Sequence, residues 1–136
     1  MKLSKHIWKD EYELKVQILD DQHKKFITII NLLVDTINKK NVKNNMPQIF
    51  FKLMNHVENY FLQEEILLKK YPECDFENLQ KDHLYFINRI AKFQNDFNEK
   101  GPNIASKLLE FLNYWLSDRI KTYNKNNIVY LQENDN

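Results

Sequence analysis

Residues 8–37 read WKDEYELKVQILDDQHKKFITIINLLVDTI, and this stretch decides the fold. Its apolar residues recur every three or four positions, which is the spacing of one face of an α-helix. Phe26 and Leu33 both fall on that face. Asp20 precedes them, where a carboxylate can accept hydrogen bonds from the free N–H groups of a first helical turn. The segment therefore predicts a helix over about residues 20–38.

Three further amphipathic stretches follow along the chain. The second helix is expected to begin at Asn45, just ahead of Pro47, because proline costs little in a first turn, and to end near Tyr71. The third is expected over roughly residues 75–100 and to end where Gly101 can adopt a positive φ. The fourth follows at once. Its predicted inward face carries Ile104, Leu108, Leu112, Trp115, Arg119 and Tyr123.

The predicted fold class is all-α. Short loops between four amphipathic helices favour an antiparallel up-down-up-down four-helix bundle. We expect residues 1–136 to form a single domain, with the bundle over about residues 20–124. An extended N-terminal arm, residues 1–19, is expected to lie along its outside and to be anchored by Trp8. A C-terminal tail, residues 125–136, completes the chain.

Composition narrows the classes of function. The chain has 136 residues and a formal net charge of +1, which gives no field for attracting nucleic acid or an anionic membrane. It contains no apolar run long enough for a membrane span, and Cys74 is its only cysteine, so we expect a cytoplasmic protein. It has no Gly-rich phosphate loop, nucleophile triad or CxxC motif, so an enzyme is not expected.

Several segments resemble the bacterial hemerythrin family. The opening carries a Trp followed by an apolar run into DxQH, and four later segments match in the same order: YFLQEE (residues 60–65), YP (71–72), HLYF (83–86) and LLEFLNYWLSDRI (108–120). The resemblance implies a four-helix bundle that holds two irons with five His, a Glu and an Asp and binds oxygen reversibly. The cofactor implied is therefore iron, and the ligand implied is oxygen.

The resemblance also assigns the family's seven metal-ligand positions in this sequence. Three keep a family ligand, and four hold another residue. The retained positions are His23, Glu64 and His83, and the replaced positions are Tyr60, Leu79, Arg119 and Asn124. Because a guanidinium cannot coordinate a metal and repels one, this set predicts no metal or a partial site rather than an ordinary di-iron centre.

An organic substitute for the metal is predicted instead. A buried Glu64 carboxylate needs a positive partner, and Arg119 on the facing helix could bond both of its oxygens. The Tyr60 hydroxyl and the two imidazoles would complete the network. Read without the resemblance, His23 and His83 are hydrogen-bonded core histidines.

Two functions remain open from the sequence. The first is a hemerythrin-like protein with a degenerate metal centre, which has lost reversible oxygen binding and acts in a structural or regulatory interaction with an unidentified protein. The alternative is a non-heme iron protein that uses His23, Glu64 and His83, with Tyr60 or His56 as an extra ligand. That protein would bind or sense oxygen or handle iron. His56 lies one turn before Tyr60, so the two could also share a single metal with Glu64.

Overall fold

The fold was obtained as a computed structural model that describes residues 2–126 and 128–134. Four long helices form the bundle, and a short fifth helix follows them. They are α1 (Gln17–Asn38), α2 (Val42–Leu68), α3 (Phe76–Lys100), α4 (Ile104–Lys125) and α5 (Val129–Asn134). The α1 helix packs against α2 and α4, and α3 packs against the same two helices. The predicted all-α four-helix bundle is confirmed.

The α1 helix begins earlier than its sequence suggested. It starts at Gln17, and Asp20 lies inside its first turns instead of capping them. The Asp20 carboxylate accepts hydrogen bonds from the backbone N–H groups of Leu14 (2.8 Å) and Lys15 (3.1 Å). Asp20 therefore fixes the turn that brings the N-terminal arm into the bundle.

The α2 helix also begins earlier than predicted. It starts at Val42, and the Asn45 N–H already donates to the Asn41 carbonyl at 3.0 Å. Pro47 therefore lies beyond the first turn, where its missing N–H removes one helical hydrogen bond. The helix ends at Leu68, a little before Tyr71. The prediction for α3 was accurate, because Asp75 caps its first turn by accepting from Asn78 N–H and Gly101 follows its end with φ +85°.

Two asparagines of α1 hold the N-terminal arm. The side-chain amide of Asn38 donates to the Leu3 carbonyl and accepts from the Leu3 N–H, and Asn31 makes the same pair of bonds with His6. Trp8 is only half-buried, so these amides contribute directly to the attachment expected of Trp8. None of the described helices is both long enough and apolar enough to cross a membrane.

Residues 128–134 of the tail fold back onto the end of the bundle. Ile128 and Leu131 are buried, and the Gln132 side chain donates to the Leu14 carbonyl at 2.8 Å. Leu131 is 1% exposed, whereas Val129 on the same short helix is 46% exposed. Ile128 and Leu131 are therefore part of the core.

We expect Leu131→Ala to lower the free energy of unfolding by about 2–4 kcal/mol, because it removes buried methyl groups and leaves a cavity. Val129→Ala is the matched control on the same helix and should change stability by less than about 0.5 kcal/mol. Urea unfolding of both variants measures the difference. Equal losses would show that α5 does not pack as described.

Candidate metal centre

Glu64 is the centre of a buried polar cluster that joins three helices. Its Oε1 lies 2.5 Å from His83 Nε2 and 3.1 Å from Arg119 Nη2. Its Oε2 accepts from the Tyr60 hydroxyl at 3.2 Å and from the Tyr123 hydroxyl. Two donors therefore face each oxygen, and the carboxylate has no free lone pair pointing to a further ligand.

The charges in this cluster stabilise one another. Burial raises the pKa of Glu64, but Arg119, His83 and Tyr123 lower it by more, and the net value is about 2. Burial lowers the pKa of Arg119, but Glu64, Tyr123 and Tyr60 together raise it by more, so the guanidinium stays charged. Burial, followed by the nearby carboxylate, raises the pKa of Tyr60 and of Tyr123 well above 10. Both tyrosines therefore remain O–H donors.

His83 lies between two carboxylates. Its Nε2 faces Glu64, and its Nδ1 is 2.8 Å from Glu65 Oε2. Because an ionised carboxylate only accepts hydrogen bonds, both contacts are satisfied when the ring carries a proton on each nitrogen. The ring also stacks on Phe61, with centroids 3.9 Å apart and planes 7° apart. His83 therefore links the buried Glu64 to Glu65.

His23 joins the cluster through Tyr60. Its Nε2 is 2.7 Å from the Tyr60 hydroxyl, which in turn donates to Glu64. Because the hydroxyl has a single proton, His23 Nε2–H is the donor to the Tyr60 oxygen. Burial lowers the pKa of His23 to about 4, so the ring is neutral near pH 7. Its Nδ1 is buried and has no partner among the described residues.

The contact of Arg119 differs from the predicted two-point bond. Only Nη2 bonds Glu64, while Nη1 lies 3.6 Å from Asp82 Oδ2 and Nε has no acceptor among the described residues. Arg119 does not bond the second oxygen of Glu64 because the hydroxyls of Tyr60 and Tyr123 already donate to that oxygen.

Tyr123 occupies the place at which Asn124 was expected. Asn124 is exposed, whereas Tyr123 is 6% exposed and bonds Glu64. A regular helix turns about 100° per residue, so position 123 lies about 40° from the direction of Arg119 and position 124 lies about 140° from it. The apolar stripe of α4 predicted that Tyr123 faces inward, but no sequence signal indicated its bond to Glu64. Glu65 and Asp82 were likewise not identified from the sequence.

The two remaining candidate residues, Leu79 and His56, lie beside the Glu64 cluster and make no hydrogen bond to Glu64. Leu79 is buried and lines a cavity of about 180 Å³ beside Arg119, at the end of the bundle covered by the tail. His56 is half-buried and stacks on Tyr60, with centroids 5.9 Å apart, but makes no hydrogen bond to Glu64. His56 therefore packs on Tyr60 but does not join the hydrogen bonds around Glu64.

Comparison with protein-family models and with curated proteins shows which family this chain is related to. Residues 14–127 match the family described as the hemerythrin HHE cation binding domain. The chain belongs to the hemerythrin family. Its curated relatives include bacteriohemerythrins of Pseudomonas paraeruginosa (26% identical, 85% of this chain and 74% of the relative), Clostridium acetobutylicum (22%, 84% and 92%) and Methylococcus capsulatus (25%, 85% and 87%). No solved structure gave a significant match.

The side chains of this hemerythrin-family chain differ from the ligand set that the resemblance implies at Tyr60, Leu79, Arg119 and Asn124. A shared carboxylate needs free lone pairs, and the oxygens of Glu64 already accept four hydrogen bonds. The charged Arg119 nitrogen lies 3.1 Å from Glu64, where a cation would have to approach. Across residues 2–126 and 128–134 there is no group of three His, Cys, Asp or Glu side chains placed to hold a metal.

The pKa shifts of two histidines predict how stability depends on pH. Burial lowers the pKa of both His23 and His56 from 6.5 to about 4. Between these values the unfolded chain binds protons that the folded chain does not, so the free energy of unfolding should fall as pH falls through this range. Urea unfolding from about pH 7 to about pH 4 measures the slope. His56→Gln should make the slope shallower, and an unchanged slope would contradict the assignment.

Proposed function

We propose that this hemerythrin-family protein has replaced the metal centre of its bundle with a hydrogen-bonded ion pair. It does not bind oxygen reversibly and acts in a structural or regulatory interaction with another protein rather than as an enzyme. The observation that carries the proposal is the saturation of Glu64, whose oxygens accept from His83, Arg119, Tyr60 and Tyr123.

Electrostatics support the replacement. Two like unit charges 4 Å apart repel by about 4 kcal/mol at an effective dielectric constant of 20, and an iron ion carries more than one charge. Arg119 would impose this cost on a metal bound by Glu64, since the Arg119 nitrogen lies 3.1 Å from that carboxylate. The same guanidinium stabilises Glu64 when no metal is present, because an unpaired buried carboxylate is strongly unfavourable.

The lost ligand positions support the proposal independently. Leu79 is apolar and buried, and Asn124 is exposed on α4. Neither position can supply a ligand without a change of side chain or of helix geometry. Of positions 79, 83 and 119, only His83 keeps a histidine, and it is already hydrogen-bonded to Glu64 and Glu65.

The second candidate function is that of a metal protein that uses His23, Glu64 and His83, with help from Tyr60 or His56, in oxygen sensing or iron handling. One observation favours it. His23 is neutral near pH 7, and its buried Nδ1 has no partner in the described part of the chain. A metal at Glu64 would still have to displace at least one of the four donors around that carboxylate.

Oxygen titration separates the proposed function from an oxygen-binding one. The protein is incubated anaerobically with ferrous iron, freed of excess metal and titrated with oxygen while its visible absorption is recorded. We expect no saturable, reversible change. A bacteriohemerythrin relative carried through the same procedure controls for loading and handling. A reversible oxygen-dependent spectrum from this chain would refute the proposal.

A cytoplasmic location, as the composition predicts, belongs to the same proposal.

A further inference from the structure

A second pocket lies between α3 and α4. Its volume is about 190 Å³, below the roughly 300 Å³ at which pockets for drug-sized ligands begin, so it suits a small ligand. It is lined by two residues that belong to α3 and five that belong to α4, namely Asp82, Tyr85, Phe111, Tyr114, Trp115, Asp118 and Arg119.

Aromatic rings form most of its walls. Tyr85 on α3 is 56% exposed, and Tyr114 on α4 is 71% exposed. Phe111 is half-buried, and Trp115 is buried. The Tyr85 and Phe111 rings are 6.4 Å apart and inclined at 57°. Two large rings thus remain open to solvent on the two helices that border one pocket, whereas packing against the core would have covered them.

Carboxylates supply the charge of the pocket. The Asp82 side chain is 61% exposed, and Asp118 is exposed and makes no ion pair within the described part of the chain. Arg119 is the only basic residue in the lining, and it is paired with Glu64 in the core and, at 3.6 Å, with Asp82, so the lining holds two carboxylates and one guanidinium. The pocket therefore has a net negative balance, which disfavours an anionic ligand and favours a cation.

A neighbouring contact shows that one ring of the pocket, Phe111, already packs against a positive charge. The Arg89 guanidinium lies 4.8 Å from the centroid of Phe93 and 5.5 Å from that of Phe111. The face of an aromatic ring is negative, so it attracts a cation, and aromatic cages bind alkylammonium ions in this way. The pocket adds two open tyrosine rings and two carboxylates to this arrangement.

We propose that the α3–α4 pocket binds a small organic cation of the alkylammonium type. Tyr85 and Tyr114 would contact its apolar and charged surface, and Asp82 and Asp118 would balance its charge. This site goes beyond the function proposed above, because its ligand would contact Tyr85, Tyr114 and the two aspartates and not Glu64. Its failure and the failure of the ion-pair centre would be seen in different experiments.

Calorimetry with a charged and a neutral ligand of the same shape tests the proposal. Choline is the probe, and 3,3-dimethyl-1-butanol is its uncharged isostere. We expect saturable choline binding and at least about tenfold weaker binding of the neutral alcohol, because the ring faces and the carboxylates act on the charge. Binding should also weaken as salt is added. Equal binding of the two compounds, or no saturable binding of choline, would overturn the proposal.

Surface variants locate the site without disturbing the fold. Tyr114→Leu should weaken choline binding by about fivefold or more, and Asp118→Asn by a similar factor. Phe51→Leu is the matched control, because Phe51 is 66% exposed on α2. Amide NMR spectra confirm folding and should show choline-dependent shifts around Tyr85 and Tyr114. Unchanged affinity in both pocket variants, or an equal loss in Phe51→Leu, would contradict the assignment.

Discussion

Replacing Arg119 with methionine is expected to lower the free energy of unfolding by about 3–5 kcal/mol, the range for breaking a buried ion pair from one side. Methionine fills much of the space of the arginine stem but leaves the Glu64 carboxylate, which is 1% exposed, without its fixed positive partner. The pKa of Glu64, now about 2, should rise as this partner is lost. Urea unfolding at neutral pH measures the loss.

A double-mutant cycle tests whether the loss belongs to the pair. Glu64→Gln removes the negative charge and keeps an oxygen for the tyrosine hydroxyls. The double variant with Arg119→Met should therefore be more stable than the sum of the single losses predicts, by about 2 kcal/mol. Arg89→Met is the control, since Arg89 packs on aromatic rings and has no carboxylate partner among the described residues, and should cost only about 1 kcal/mol. An additive cycle would mean that the two charges do not interact.

Restoring three histidines should convert the cluster into an iron site. Tyr60→His, Leu79→His and Arg119→His together with His23 and His83 give the five histidines that the family resemblance implies, and they free Glu64 from the guanidinium and one hydroxyl. Iron content should rise from background to about two per chain, as in carboxylate-bridged di-iron bundles. A folded triple variant that takes up no iron would count against the positional match.

The second carboxylate distinguishes the two candidate positions on α4. Added to the triple variant, Tyr123→Asp should increase iron retention against a chelator more than Asn124→Asp does, because position 123 faces the cluster and position 124 is exposed. Chelator competition, followed by the loss of colour, gives the comparison. A larger gain from Asn124→Asp would show that α4 changes its pitch when a metal is bound.

The bundle itself could be predicted because its signals are local. The stripe that includes Phe26 and Leu33 has helical periodicity, and Asp75 and Gly101 mark the ends of α3 by chemistry that acts within a few residues. The starts of α1 and α2 were misplaced for a related reason. Asp20 and Asn45 are both good capping residues, but tertiary contacts carry each helix further toward its N-terminus.

The site was predictable only in part. Family positions indicated that Arg119 and Glu64 share the core, and the structure places them 3.1 Å apart. The rotation of the four helices about their axes decides which other side chains reach Glu64. That rotation cannot be predicted from the local sequence. Tyr123 is the clearest case, since helical phase predicted its direction but not its partner.

Iron analysis of the wild-type protein tests the central claim most directly. The protein is produced in iron-supplemented cells and purified in air, and its iron content and near-ultraviolet and visible absorption are recorded together. If Arg119 and the surrounding hydroxyls hydrogen-bond both oxygens of Glu64 as described, the protein should be colourless and contain iron only at background level. Two irons per chain with the charge-transfer bands of an oxo-bridged pair would contradict the account.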